Sequence, residues 1–397
     1  MRVLVSGVPG LGHLVPLLDL ACALQVAGHE VRVATNREFH GVIAGAGLQP
    51  VPAGMSNVEM REQRRRRWPE TDAQPVSAWA TRMWAQIMAP STLADLLALI
   101  EEWPPDVVLH EEGEYAAPVA AAEAGIPWVT HGWGSPLRSA SELAEIEDLA
   151  SALWESCGRD VPAAAGLYAH ALVNPCPPML QNQPPPGASV VWPIRPCLLE
   201  GRGPALEADV YIGFGTVPSL ANARSQLTAA VRACTARRLR TVVTAPSEQL
   251  RRELAEIDER LVQAHEFVSL PTLLRSCKVV ISHAGAGTVL GSLAFGVPVV
   301  LMPRGTPSQL RMADACHCAG VGRRCQTADL DAALDEVIND PAIAAAASKV
   351  ARQIAELPNA SSVVPLIASL ASGPNRVTHR TAKAPGAPVL RPSRHGR

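Results

Sequence analysis

His13 and His283 are the side chains whose settings most directly suggest chemistry. His13 closes a glycine turn, Gly7-Val-Pro-Gly-Leu-Gly-His13, that follows the apolar run at residues 3–6. His283 opens a second turn, His283-Ala-Gly-Ala-Gly-Thr288, after the apolar run at residues 279–282. Each turn leads into a segment with apolar residues at helical spacing. In open parallel sheets, ligands bind at the carboxyl ends of strands, beside helix N-termini. A neutral imidazole in the first position can take a proton from a hydroxyl near neutral pH. In the second position, Gly285 and Gly287 let a ligand approach the backbone closely. The unpaired amides around Thr288 and the helix dipole then attract an anion. A base in one half and an anion holder in the other is the layout of group transfer across a cleft.

A catalytic histidine needs a partner that sets its tautomer and stabilises its cation. The expected strand at residues 106–109 ends in His110-Glu111-Glu112-Gly113, so Glu111 or Glu112 can reach His13. Adjacent residues at a strand end point opposite ways, and the spacing leaves the choice between them open. Another strand end, Gly215-Thr216, can add contacts to the anion. The plain structural readings are a capping or core histidine, solvated loop carboxylates and ordinary glycine turns.

The elements that position these groups alternate strand and helix. Strands are expected at residues 3–6, 30–35, 106–109 and 127–131, with helices at 14–27, 38–46 and 114–124. Prolines then crowd residues 175–208, which read as a semi-rigid linker. The alternation resumes with strands at 209–214, 240–244, 279–282 and 298–302, and helices at 225–237, 248–256, 288–294 and 341–356. This predicts an α/β protein of two Rossmann-like domains, 1–174 and 209–372, facing each other across a cleft. The basic, carboxylate-free stretch at 373–397 reads as a disordered tail.

A chain of 397 residues with 48% hydrophobic and 18% charged residues has ample core for two domains. Its formal net charge of −2 argues against nucleic acid as the default partner. Scattered cysteines, odd in number, fit reduced thiols in a cytoplasmic protein. Every apolar stretch near the length of a membrane span carries breakers or charges, so no span is expected. All the tryptophans lie between Trp68 and Trp192, in the N-terminal half. Trp68, Trp84 and Trp133 are candidates for an aromatic wall around a large apolar ligand, against the alternative of core filling.

Some features resemble sites and are better read otherwise. Gly7-Val-Pro-Gly-Leu-Gly12 has the wrong glycine spacing for a dinucleotide fingerprint, and Thr35-Asn36-Arg37 offers no acidic ribose ligand. Arg37 keeps an NADP-linked reductase as a minor alternative. Cys316-His-Cys318 lies in a helical run and matches no zinc spacing. Asp329-Leu-Asp331 reads as helix capping rather than a metal pair. The run Arg64–Arg67 beside Trp68 reads as a solvated helix or loop face.

Taken together, the stretches Gly10-Leu-Gly-His-Leu-Val-Pro-Leu17, Val210-Tyr-Ile-Gly-Phe-Gly-Thr216 and 282–298, followed by Leu301-Met-Pro-Arg-Gly-Thr-Pro-Ser-Gln309, carry a resemblance. Over residues 1–370 the chain resembles family 1 glycosyltransferases of the GT-B fold, in the bacterial subgroup that glycosylates antibiotics and other natural products. The resemblance implies that His13 is the general base toward an acceptor hydroxyl, oriented by Glu111 or Glu112. It implies that Thr216, His283, Gly285, Gly287 and Thr288 hold the diphosphate of a dTDP- or UDP-sugar without a metal. Phe267 and Val268 match the strip that packs on the nucleotide base, and Gln309 matches a contact to the donor sugar. The N-terminal half would take the aglycone. The family often has Gly where Ala284 stands, Trp where Phe267 stands, and Asp where Ser308 stands. The lost Asp points to a deoxysugar donor. A nucleotide-sugar 2-epimerase of the same architecture and a non-catalytic helper of a partner enzyme are the alternatives, and a homodimer is compatible with either.

Overall fold

The structure, a computed structural model, describes residues 1–74, 78–181, 190–198, 206–215 and 221–373. Short apolar runs form two parallel sheets. The first contains β1 (Arg2–Ser6), β2 (Glu30–Thr35), β3 (Gln49–Pro52), β4 (Val107–Glu111), β5 (Trp128–His131), β6 (Ala171–Asn174) and β7 (Val191–Pro193). Its spatial order is β3-β2-β1-β4-β5-β6-β7. The second contains β8 (Val210–Gly213), β9 (Thr241–Thr244), β10 (Val262–His265), β11 (Val279–Ser282), β12 (Val299–Leu301) and β13 (Gly322–Arg324), in the order β10-β9-β8-β11-β12-β13. Helices cover both faces, which is why the inner strands are apolar throughout rather than alternating. Leu4 packs into the core on one face of the first sheet, while Val3 and Val5 pack into the other. Val280 is set against Val279 and Ile281 in the same way in the second sheet.

The order of strand addition reverses between β1 and β4 in the first sheet and between β8 and β11 in the second, all of these strands being parallel. A crevice opens at each such switch point, outside the carboxyl ends of the strands. His13 follows β1 and Glu111 ends β4. His283 follows β11, whose last residue, Ser282, pairs with Gly213 at the end of β8. The topology therefore places both histidines in ligand crevices.

The expected domain boundaries need correction. The proline-rich stretch is not only a linker, because Val191–Pro193 pairs with β6 as the outermost strand of the first sheet. Before it, Cys176 and Leu180 pack into the core of the second domain. Helix Val364–Ser372 belongs to the first domain in space: Val364, Ile367 and Ala371 share a core with Leu17 and Leu24. Residues 182–189 and 199–205 of the linker, and 374–397 of the expected disordered tail, lie outside the described residues.

Between β3 and β4 the chain makes a helical excursion that strand–helix alternation did not predict. Helix Asn57–Arg67 starts with a Ser56–Glu59 capping box. A longer helical run, Ala80–Glu102, is interrupted by a π-turn at Trp84–Met88. Pro90 accounts for the interruption, since it has no N–H to offer the Gln86 carbonyl one turn back. That carbonyl instead accepts a 2.8 Å hydrogen bond from Arg67 Nη1. Arg64 is buried against Thr71 and Asp72, with its guanidinium 4.7 Å over Trp79. Of the arginine run, Arg64 is thus buried rather than solvated, while Arg67 stays exposed and still holds the Gln86 carbonyl. Among the described residues, Ala80–Glu102 alone has the length and apolarity to cross a membrane as one unbent helix. Here its Leu93, Leu96 and Ile100 fill the first domain's core.

The domains meet where the loop after β5 touches the second domain. Arg311 Nε donates to the Pro136 carbonyl at 3.0 Å, and its guanidinium pairs with Glu142. Gly134 lies against Leu290 with φ +87°, and a Cβ there would sit 2.5 Å from Leu290 Cδ1. Gly134→Ala is expected to destabilise the protein by about 1–3 kcal/mol through backbone strain and overpacking. Urea unfolding measures this, and an unchanged midpoint would show that the contact is not fixed in solution.

Candidate functional site

The first crevice is organised by a buried carboxylate. β4 runs two residues beyond its expected end and finishes at Glu111, which is 1% exposed. Its Oε1 accepts the Val8 N–H at 3.2 Å. Its Oε2 accepts the Gly113 N–H at 2.7 Å and the Trp133 indole N–H. His13 Nδ1 lies 3.3 Å from the same oxygen. Burial resists ionisation, but the His13 ring and the Gly113 and Trp133 donors outweigh it and bring the carboxyl down to about 2. An ionised carboxylate only accepts, so the contact calls for a proton on His13 Nδ1, and in the neutral ring Nε2 then carries the lone pair. The imidazole remains 23% exposed.

Glu112 points the other way. Its carboxylate accepts from the Tyr168 hydroxyl at 2.6 Å and the Trp133 N–H at 3.2 Å. The expectation that either glutamate could serve His13 therefore resolves to Glu111, because strand alternation turns Glu112 into the core. Arg138, buried beside it, donates to the Glu112 carbonyl at 3.1 Å and lies 4.9 Å over the Trp133 ring. Glu112 thus supports Trp133 from behind.

Two tryptophans enclose the His13 ring edge-on, Trp84 at 5.2 Å and Trp133 at 5.1 Å between centroids, and they meet each other at 5.7 Å. Trp84 comes from the π-turn that Pro90 forces. Gly113 is tightly constrained, since a Cβ there would sit 2.9 Å from the Trp133 ring. Trp68 does not belong to this wall. It is 3% exposed, packs with Val8 and Ile87, and has Arg82 3.9 Å over its ring. Its aromatic surface is used for core filling.

The second crevice is built around His283. Its Nδ1 lies 3.5 Å from the Gly213 carbonyl. Gly215 and Gly285 flank the ring's Nε2 edge, where added Cβ atoms would come within 3.0 and 2.7 Å. Glycine at both positions leaves that edge open. Burial above all, reinforced by the nearby Arg304 charge, lowers the His283 imidazole to about 4. Helix Ala286–Ala294 starts directly after Gly285, so the Gly287 and Thr288 amides lie in its first turn. Thr216 lies outside the described residues. Ala284 has φ +67°, a left-handed conformation that costs an alanine about 1–2 kcal/mol.

Phe267 follows β10 and is 55% exposed, free to stack on a planar ring, while Val268 is buried. Thr306 caps helix Pro307–Cys318, which carries Ser308 and Gln309 in its first turn. Gln309 Oε1 accepts the Arg304 N–H at 2.8 Å. Arg304 itself was not singled out in the sequence. Only its place after β12, at the same sheet end as His283, could have signalled it. Among the described residues, no group of three or more His, Cys, Asp or Glu side chains could hold a metal. Asp331 is engaged by Arg237.

Residues 22–150 match the family described as "Erythromycin biosynthesis protein CIII-like, N-terminal domain", and residues 235–370 match its C-terminal domain. The L-demethylnoviosyl transferase of Streptomyces niveus is 32% identical over 322 residues, 76% of this chain and 79% of that protein. The chain belongs to the bacterial natural-product glycosyltransferase family. The crystal structure of the glycosyltransferase SnogD from Streptomyces nogalater superposes with a TM-score of 0.74 at 26% identity, covering 94% of this chain and 99% of that one. The glycosyltransferase SsfS6 of Streptomyces sp. SF2575, solved with thymidine diphosphate, gives 0.72 at 26% identity, covering 93% and 99%.

The two parallel sheets are those of the GT-B fold, and the chain is a sugar-transferring enzyme of antibiotic-type pathways. In this glycosyltransferase the buried ionisable groups bind stability to pH. Burial holds His110, His131 and His283 at about 4, below their usual 6.5. Their contribution is in place above pH 6.5 and lost as pH falls through about 4. Glu111, depressed from 4.5 to about 2, extends the acid loss downward. Glu114 is raised by burial from 4.5 to about 7, so its contribution is present below 4.5 and lost as pH rises through about 7. Urea unfolding is therefore expected to show stability falling steeply between pH 6.5 and 4, and E114Q should flatten the loss above pH 7. A flat acid limb would contradict these buried neutral imidazoles. Ala284→Gly should raise stability by roughly 0.5–1 kcal/mol in the same assay, and a fall would contradict the strain at that turn.

Proposed function

We propose that this glycosyltransferase is an inverting, metal-independent enzyme that moves a sugar from a dTDP- or UDP-sugar to a hydroxyl of an apolar natural-product aglycone. The observation that carries this reading is the 3.3 Å contact of His13 Nδ1 with the buried Glu111 carboxylate, which supports Nε2 as the base. His13 Nε2 takes the proton of the acceptor hydroxyl as that oxygen attacks the anomeric carbon. The bond from the anomeric carbon to the diphosphate breaks on the opposite face. Glu111 stabilises the imidazolium that results.

The leaving diphosphate is received by the first-turn amides of helix Ala286–Ala294 and by the open Nε2 edge of His283. A phosphate oxygen needs a donor at Nε2, and its own charge favours the protonated ring. Trp84 and Trp133 present the apolar wall for the aglycone. The likeness to a relative solved with thymidine diphosphate supports a dTDP donor, and Ser308 supports a deoxysugar. The loop that carries Trp133 also touches Leu290 of helix Ala286–Ala294, which supports acceptor and donor sites side by side.

His13→Ala is expected to lower transfer by roughly 100-fold or more, from loss of general-base catalysis. Glu111→Gln should lower it in the same assay, and Glu112→Gln much less. Full activity of His13→Ala would remove the base assignment. Calorimetric titration with dTDP and UDP in EDTA should show binding of at least one, and the tighter nucleotide identifies the donor class. No binding of either would contradict the donor site.

A further inference from the structure

Among the described residues, Arg304 has no ion-pair or hydrogen-bond partner for its guanidinium. It follows β12, the strand next to β11, so it stands at the same sheet end as His283. Its main-chain N–H is held by the Gln309 side chain at 2.8 Å, which ties the loop to the start of helix Pro307–Cys318. Its guanidinium is close enough to His283 to disfavour that ring's protonation. Yet its Nε, Nη1 and Nη2 are all shielded from solvent and have no hydrogen-bond partner among the described residues.

That state is costly. A shielded guanidinium loses hydration on five N–H donors and gains nothing in return unless an anion meets it. Burial lowers even this arginine, to about 10. Among the described residues, Arg32 and Arg138 each leave only Nε unmet, and Arg304 leaves all three of its guanidinium nitrogens unmet. Arg64 is paired with Asp72, Arg311 is paired with Glu142, and Arg138 donates to the Glu112 carbonyl. Arg304 stands at the sheet end that also carries the glycine-lined His283 and the start of helix Ala286–Ala294, a combination that suits an oxyanion.

We propose that Arg304 is a donor-binding residue whose guanidinium closes on an oxyanion of the nucleotide sugar, completing a charge pocket with His283 and the first turn of helix Ala286–Ala294. The inference rests on the donor site described above and adds a full positive charge to it. With the anion in place, that charge is neutralised and His283 can be protonated beside it. Bond breaking at the anomeric carbon then leaves its electron pair on a diphosphate already held by a cation. The oxyanion is a diphosphate oxygen or a carboxylate on the sugar, and the two are separable by ligand.

The test is calorimetric titration of wild-type protein, R304M and R304K with dTDP, UDP, thymidine, uridine, UDP-glucose and UDP-glucuronate, together with thermal unfolding without ligand. If Arg304 meets the diphosphate, R304M loses roughly 10- to 100-fold in affinity for the tighter nucleoside diphosphate. Binding of the bare nucleoside should be unchanged, and R304K should recover part of the loss. If the anion lies on the sugar, R304M loses affinity for UDP-glucuronate but not for UDP-glucose or UDP. In both cases ligand-free R304M should unfold at a higher temperature than wild type, because an unmet charge has been removed, which also shows that the variant folds. Equal affinities of wild type and R304M for every ligand would overturn the inference while leaving the donor site standing. Failure of the wild-type protein to bind either nucleoside diphosphate would remove both.

Discussion

The first crevice depends on burying an ionised carboxylate at the end of β4. A charge taken that far from water must be met by donors in the protein. Glu111 meets four, from Val8, His13, Gly113 and Trp133. These come from the turn after β1, the helix that follows it, the turn after β4 and the loop after β5. One side chain therefore ties together the three chain segments that border the switch point. It fixes which His13 nitrogen carries the proton, and it fixes where Trp133 stands. Gly113 is compelled by the same arrangement, since a side chain there would strike both the Trp133 ring and the carboxylate it serves.

The second crevice uses the same topology with the opposite electrostatics. There the imidazole is kept neutral by burial, its open edge is preserved by Gly215 and Gly285, and positive character comes from amides and Arg304. The crevices communicate through one loop. Trp133 faces His13, its neighbour Gly134 presses on Leu290, and Pro136 receives Arg311 from the helix that carries Gln309. Support for the first crevice thus reaches into both helices that border the second.

Much of this was legible in the sequence because apolar runs ending in glycine turns report buried parallel strands directly. The β1 and β11 turns, with His13 and His283, followed from that pattern alone. What escaped depended on contacts between distant segments. The choice between Glu111 and Glu112 needed the true end of β4, since a shift of one residue reverses which side chain faces the crevice. Trp68 and Trp84 look alike in sequence and separate only through the π-turn that Pro90 imposes, which aims one at His13 while the other is buried under Arg82. The strand Val191–Pro193 was hidden by Pro193 and the prolines around it, and Pro193 is tolerated because this is an edge strand. The return of helix Val364–Ser372 to the first domain is a tertiary choice that its local sequence does not encode.

The claim on which the account rests is that Glu111 fixes His13 as a base at Nε2. It is tested most directly by long-range proton–nitrogen NMR on protein labelled with nitrogen-15 in histidine, with the His13 signals assigned through a His13→Gln sample. The account predicts that neutral His13 carries its proton on Nδ1, with Nε2 showing the shift of an unprotonated nitrogen, and that Glu111→Gln erases this preference. A neutral His13 protonated at Nε2, or a tautomer mixture indifferent to Glu111→Gln, would contradict it.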